Sequence, residues 1–284
     1  TAWGLAPKMV AERAALYVAD PINLTASFTY PATSLVSYLF QRVPGQFYEW
    51  QCLAGLDILF LACIAPAAAI PRKNWAGAVL VFAAGFLLPF FFSVVPAGTP
   101  STIYANAMAD TPLALLFGGT LCLYAAAGGR KTGFFACAMP LAVLTMTKDI
   151  GFAYALIVTF LIGLDQLFGT PHPDTKPARI FGVSLAKCSI LAAVVLAVFI
   201  SWNRYTAAVT PTETTGASVG SAGLSYGAVL TGGIKQLLGI GREERFAQIM
   251  QSMGQAFLYR RVCLVGAPIM AVSCILLLLS LIHI

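Results

Sequence analysis

The chain of 284 residues contains 59% hydrophobic residues but only 10% charged residues, whereas a soluble globular domain carries about 25% charged residues. This composition excludes a disordered chain and an ordinary soluble enzyme, and it predicts a polytopic membrane protein. The 17 Lys and Arg residues outnumber the 11 Asp and Glu residues. Seven of the Lys and Arg residues lie in short gaps between apolar runs, and they indicate membrane topology rather than nucleic-acid binding.

Residues 1–47 are predicted to form an outer surface segment, because charged residues and prolines interrupt every apolar run in it. A mixed helical pattern over residues 3–18 predicts a short helix that lies along the membrane surface. Residues 33–43 are predicted to form a second such helix, which ends before Pro44.

Seven apolar runs follow, and each is a candidate for a spanning helix, which needs roughly 20 apolar residues to cross about 30 Å of hydrocarbon. The runs cover residues 48–70, 75–96, 112–127, 133–147, 150–168, 181–202 and 262–282. The first six form a predicted membrane bundle over residues 48–202. The fold class is therefore predicted to be all-α: a polytopic helical bundle with about seven spans and additional amphipathic surface helices.

The basic residues between the runs predict the orientation of this bundle. They follow the first, third and fifth runs, whereas the loop 97–110 contains no Lys or Arg. By the positive-inside rule the basic loops are cytoplasmic, and the loop 97–110 lies outside. The basic residues are Arg72, Lys73, Arg130, Lys131, Lys176, Arg179 and Lys187.

A long outer loop is predicted over residues 203–261. Residues 203–233 are rich in Thr, Ser and Gly, and they are predicted to be irregular. Residues 242–260 place apolar side chains at helical spacing, which predicts an amphipathic interfacial helix. Those side chains are Phe246, Ile249, Met250, Met253, Phe257 and Leu258.

Both ends of the chain suggest a fragment. Residues 279–284 are what the codons CTG TCT CTT ATA CAC ATC encode, and this string resembles a transposon-end adapter of sequencing libraries. The chain begins with Thr1 and shows no signal-peptide pattern. We therefore interpret it as truncated at both ends, with an adapter-derived end in segment 262–284. A genomic codon run that continues through His283 would contradict this interpretation.

Several polar residues need a reason for their position. Asp57 lies inside the run 48–70, where an acid costs about 2.5–3.5 kcal/mol on insertion scales, so it faces either a wet cavity or a hydrogen-bonding helix. Lys148 and Asp149 occupy a turn at the predicted outer face, where Lys148 either binds a phosphate or belongs to a solvated turn. Asp110 precedes a Thr-Pro pair, which is typical of a helix start and does not exclude a role in a site.

Short motifs in this order resemble the GT-C superfamily of polytopic glycosyltransferases, of the bacterial type that depends on polyprenyl-phosphate sugars. The resemblance extends over about residues 1–200. The matching residues are Trp3-Gly4-Leu5 with Lys8-Met9, Tyr30-Pro31 with Ser34-Leu35 and Tyr38, Tyr104, the run 110–118 that begins with Asp110, and the run 147–152 that includes Lys148.

The resemblance implies roles for these residues. The main catalytic base of the family precedes the Trp-Gly pair that matches Trp3, so it would lie upstream of Thr1. Asp110 corresponds to a supporting acid, and Lys148 to a lysine near the substrate cavity. The predicted substrate-binding set is Lys148, Asp149, Lys8, Tyr30 and Asp57. Of these, Lys148 and Lys8 are expected to border one outward cavity together with Asp110, and Asp57 to lie below it.

The resemblance also implies the function: a hexosyl- or pentosyltransferase of the bacterial cytoplasmic membrane that modifies a cell-envelope acceptor at the outer face. The expected partners are a lipid-linked sugar donor and membrane lipids. Basic side chains or a divalent metal would stabilise the phosphate that leaves. The alternatives are a transporter or flippase for a lipid or polysaccharide, and a membrane scaffold without catalytic activity.

Overall fold

A computed structural model gives the structure of the chain. It describes residues 2–13, 16, 30–42, 46–70, 74–92, 109–127, 131–169, 177–209, 231–232, 235, 244–257 and 268. All regular elements in this described part are helices, as predicted. The chain forms two compact units, residues 1–89 with 95–220 and residues 90–94 with 221–284. The predicted last span lies outside the described residues, except for one helical position at residue 268.

We number the helices in chain order. They are α1 (Ala2–Arg13), α2 (Ala32–Gln41), α3 (Glu49–Ala68), α4 (Trp75–Phe92), α5 (Asp110–Ala127), α6 (Lys131–Ala136), α7 (Ala138–Thr145), α8 (Gly151–Leu164), α9 (Pro177–Val209) and α10 (Glu244–Phe257). A π-helical turn, Asp165–Gly169, directly follows α8.

Four of these helices are long and apolar enough to cross a membrane. Only 17% to 39% of each apolar window is buried inside the protein, so most of this surface faces outward, as it does in a bundle surrounded by lipid. The four stretches are Glu49–Ala68, Asp110–Ala127, Gly151–Phe168 and Phe181–Ala208. The predicted runs 75–96 and 133–147 correspond to shorter apolar helices, Trp75–Leu87 and Gly133–Thr145.

The predicted run 133–147 is interrupted, since α6 ends at Ala136 and α7 begins at Ala138. Pro140 explains the break. Proline has no backbone N–H to donate to the carbonyl four residues earlier, which belongs to Ala136, and its ring collides with that carbonyl. Cys137 occupies the turn between the two helices.

The last helix of the bundle is longer than predicted. The run was expected to end at residue 202, with an irregular loop after it, but α9 continues to Val209. The expectation of an irregular chain is therefore wrong for residues 203–209, and residues 210–230 lie outside the described part. The 33 residues of α9 extend over about 50 Å, which exceeds the hydrocarbon thickness of about 30 Å.

The core lies where α5, α6, α7, α8 and α9 meet. Its buried side chains are mostly aliphatic: Leu113, Leu116, Tyr124, Phe134, Cys137, Leu141, Leu144, Ala155, Val158, Ile162, Leu191 and Val195. Helix α3 packs against α5 through the small residue Gly119, where an added Cβ would lie 2.8 Å from the carbonyl oxygen of Cys63. Small residues at such crossings allow helix backbones to approach closely in a membrane.

Helix α2 packs with its polar face inward. Ser37 and Gln41 are buried against α3, whereas Leu39 is 66% exposed. The Gln41 amide donates to the Tyr48 carbonyl (2.7 Å) and accepts from the Tyr48 N–H (2.9 Å), and this fixes the connection to α3. A polar face that is satisfied inside the protein and an apolar face outside are expected of a helix in contact with lipid.

Helix α10 confirms the prediction of a helix within residues 242–260. Gln248 and Gln251 are exposed, as expected, but so is Met250, which was assigned to the apolar face. The side chains of Phe246, Ile249, Met253 and Phe257 lie outside the described part of the chain.

Candidate functional site

Asp110 and Lys148, to which the family resemblance assigns roles in the site, lie together. The Lys148 ammonium donates to a carboxylate oxygen of Asp110 at 2.5 Å. Asp110 is in the first turn of α5, and Lys148 belongs to the turn between α7 and α8, so 38 positions separate them in the chain. The structure therefore places these two predicted site residues side by side.

Tight backbone packing brings the two elements together. Gly151 begins α8, and its N–H donates to the Lys148 carbonyl at 2.8 Å. A Cβ at Gly151 would lie within 2.1 Å of the Leu144 carbonyl oxygen and 3.4 Å from a methyl group of Leu113, one turn into α5. Glycine therefore lets the start of α8 rest against the end of α7 and the start of α5, which sets Lys148 beside Asp110.

The pair remains accessible to a ligand. The side chains of Lys148 and Asp110 are 33% and 63% exposed. Exposed ion pairs contribute only about 0–1 kcal/mol to stability, so the fold does not depend on this pair. Asp110 is also well placed in a first helical turn, where the positive end of the helix dipole favours a carboxylate.

Tyr30 lies at the same end of the bundle. The N–H of Ala32, two residues later, donates to the Met146 carbonyl at 2.9 Å, and Met146 is two residues before Lys148. The Tyr30 ring is 6.0 Å from the ring of Trp202 near the end of α9. The start of α2, the turn after α7 and the end of α9 therefore meet near the ion pair.

A groove opens beside this meeting point. It has a volume of about 340 Å³, within the range of small ligand sites, and its lining is almost entirely apolar. Trp202 and Tyr205 stack within it, with ring centroids 5.6 Å apart. The lining residues are Leu16, Met146, Ala197, Val198, Ser201, Trp202 and Tyr205.

The remaining predicted site residues have other neighbours. Lys8 forms an ion pair with Glu12 within α1 at 3.9 Å, and among the described residues no contact joins it to Lys148. Asp149 is half-buried in the same turn as Lys148. Asp57 lies eight residues into α3, about 12 Å from its first residue, and one of its carboxylate oxygens is buried without a hydrogen-bond partner. The contacts of the described residues therefore bring Asp110 and Lys148 together without Lys8.

A second polar cluster lies at the opposite end of α5 and α8, and the sequence analysis did not identify it. The Tyr124 hydroxyl donates to an Asp165 carboxylate oxygen at 2.7 Å and accepts from the Gln166 amide at 2.5 Å. The Lys187 ammonium donates to the side-chain amide oxygen of Gln166 at 2.8 Å. We call these four hydrogen-bonded residues, Tyr124, Asp165, Gln166 and Lys187, the inner relay.

The π-helical turn makes the inner relay possible, because it lets consecutive residues, Asp165 and Gln166, both reach Tyr124. Such turns are rare and occur often at functional sites. Asp165 lies within the predicted span 150–168, as Asp57 lies within another span. An acid inside an apolar run was therefore the signal that could have revealed this cluster.

The described residues contain no group of three or more His, Cys, Asp or Glu side chains that could hold a metal ion. Comparisons with family models, with curated proteins and with solved structures found no match to the chain. The resemblance to GT-C enzymes therefore stays a prediction that depends on the short motifs quoted above.

Proposed function

We propose that this chain is a membrane glycosyltransferase, a hexosyl- or pentosyltransferase that moves a sugar from a polyprenyl-phosphate donor to a cell-envelope acceptor. The observation that supports it is the meeting of Asp110 and Lys148 from separate elements at the predicted outer end. A carboxylate and an ammonium side by side match the two needs of this reaction: a group that accepts a proton and a group that stabilises a phosphate.

In the proposed reaction, the acceptor hydroxyl oxygen forms a bond to the anomeric carbon of the sugar. The bond from this carbon to the phosphate oxygen breaks, and polyprenyl phosphate leaves with the electron pair. A carboxylate takes the hydroxyl proton, and Asp110 supports this step. The Lys148 ammonium has three N–H donors, of which one reaches Asp110, so two can stabilise the charge on the phosphate.

The proposal includes a membrane arrangement. Seven spans place Lys73 and Lys131 on the cytoplasmic side and the Asp110–Lys148 pair outside, in a bacterial cytoplasmic membrane. The groove beside Met146 and Trp202 would receive the apolar part of a lipid donor at this level. Helices α1 and α2 would lie along the surface, where a lipid enters sideways from the bilayer.

Sugar transfer tests the proposal directly. Membranes that contain the chain are given a labelled polyprenyl-phosphate sugar, and the label in the acceptor is measured. Lys148→Ala should reduce transfer about a hundredfold at near-normal expression, the scale on which one charge-stabilising donor acts. Lys176→Ala removes the same charge at the predicted cytoplasmic side and should change little. Equal losses in both variants, or none in either, would contradict the proposal.

The second candidate is a carrier for a lipid or polysaccharide. The inner relay favours it, because ionisable residues inside spanning segments are typical of transport pathways. Purified chain in vesicles would distinguish the two functions. A carrier moves a labelled polyprenyl-phosphate sugar across the bilayer when no acceptor is present, whereas an enzyme does not.

A further inference from the structure

The ammonium of Lys187 is a positive charge with only neutral partners in the described part of the chain. It donates to Gln166 at 2.8 Å and lies 5.6 Å from the centre of the Phe134 ring. No described carboxylate lies within 4 Å of it, and the nearby Asp165 accepts from Tyr124 instead. Because an ammonium has three donors, at least one N–H of Lys187 has no acceptor among the residues that the structure describes.

Lys187 also lies in a helix that is long and apolar enough to cross a membrane. It belongs to the crossing-length stretch Phe181–Ala208, about one and a half turns from its first residue. Three phenylalanines around this end of the bundle are strongly exposed: Phe135 (53%), Phe168 (80%) and Phe181 (57%). Aromatic side chains that face outward at a helix end are suited to the boundary between hydrocarbon and headgroups.

Basic residues near Lys187 in the predicted bundle make the electrostatic potential at this end positive. In the sequence, Lys131 lies between the predicted spans 112–127 and 133–147, and Lys176 and Arg179 lie between 150–168 and 181–202, which puts all three at this same end of the predicted bundle. Basic positions between spanning helices on the cytoplasmic side bind anionic lipid headgroups, because the phosphate there is the available counter-ion. A half-buried ammonium without a carboxylate fits such a headgroup, since a buried charge needs an opposite charge or several hydrogen bonds.

We infer that Lys187 is a binding site for the phosphate of an anionic phospholipid of the cytoplasmic leaflet. The phosphate oxygen accepts from the free N–H of Lys187, while Gln166 and the Phe134 ring hold the ammonium in place. The inner relay then connects the occupied headgroup site to Tyr124 and Asp165. This site is separate from the Asp110–Lys148 pair and does not depend on the proposed transferase activity.

Lipid titration tests the site. The purified chain in detergent is titrated with phosphatidylglycerol, or with phosphatidylcholine as the lipid without net charge, and native mass spectrometry measures the bound fraction. Lys187→Gln should bind phosphatidylglycerol about fivefold more weakly, the effect of one basic residue at an anionic surface, while phosphatidylcholine binding stays the same. Lys187→Arg should retain the affinity.

Two further variants separate binding from structure. Arg204→Gln removes an equal charge near the other end of α9, where Arg204 is exposed, and should leave phosphatidylglycerol binding within twofold of the unmodified chain. Gln166→Leu removes the hydrogen-bond partner but keeps the charge, and it should also retain most of the affinity. The inference is overturned if Lys187→Gln binds phosphatidylglycerol normally, or if either of these variants loses as much affinity as Lys187→Gln.

Discussion

Two neighbouring glycines in α5 provide a matched test of how closely α3 and α5 pack. At Gly119 an added Cβ would lie 2.8 Å from the carbonyl oxygen, 3.0 Å from the Cβ and 3.1 Å from the Cα of Cys63. At Gly118 an added Cβ would meet no atom of the described residues within 4 Å. The same substitution to alanine therefore perturbs the helix contact at one position and leaves it intact at the next.

The expected magnitude follows from these distances. Ordinary contacts begin near 3.4 Å, so Gly119→Ala must move the Cys63 backbone by up to about 0.6 Å, and no side-chain rotation can relieve this. Overpacking of this kind costs about 1–3 kcal/mol. Gly118→Ala should be neutral or stabilising by up to about 1 kcal/mol, because alanine favours the helix.

Unfolding in detergent measures the difference. The helical signal in circular dichroism is followed as sodium dodecyl sulfate replaces a mild detergent, and the midpoints of the two variants are compared. Gly119→Ala should unfold at a clearly lower denaturant fraction than Gly118→Ala. Equal midpoints would show that α3 and α5 do not approach as closely at Cys63 as the structure places them.

Two other predictions concern the inner relay and the orientation of the chain. Tyr124→Phe leaves the Gln166 amide and an Asp165 oxygen without a partner, so it should reduce the free energy of unfolding by about 1–3 kcal/mol. The control Tyr154→Phe, whose ring packs against Phe117, should cost less than about 0.5 kcal/mol on the same measurement. For orientation, cysteine introduced at position 110 should react with a membrane-impermeant reagent from outside intact cells, whereas cysteine at position 73 should not. Equal labelling of both positions would refute the predicted topology.

The sequence was sufficient to predict that the described part of the chain is helical and to place most of its helices. A helix in lipid must satisfy its backbone hydrogen bonds internally and present apolar side chains outward. Each spanning helix therefore corresponds to one apolar run in the sequence. The runs at 48–70, 112–127, 150–168 and 181–202 all correspond to crossing-length helices. The start of α5 at Asp110 was also predictable from local chemistry, because a carboxylate and a proline both favour a first helical turn.

Two helix boundaries differ from the apolar runs of the sequence. Pro140 predicts the break between α6 and α7 by the loss of one hydrogen bond. Hydrophobicity falls after residue 202, yet α9 continues to Val209. The end of a helix need not coincide with the edge of the hydrocarbon, since a helix can continue into water.

The tertiary structure decided which polar groups meet. No local pattern relates Asp110 to Lys148, and their expected proximity came from the family resemblance; the packing of Gly151 against Leu144 and Leu113 is what sets them 2.5 Å apart. Tyr124 and Lys187 likewise belong to different helices, and Asp165 and Gln166 reach Tyr124 through a π-helical turn. The apolar runs alone determined that helices form with the length and apolarity needed to cross a membrane, because each helix satisfies its own backbone. Which side chains face each other depends on helix rotation and close contacts between distant segments, and these are set when the whole bundle packs.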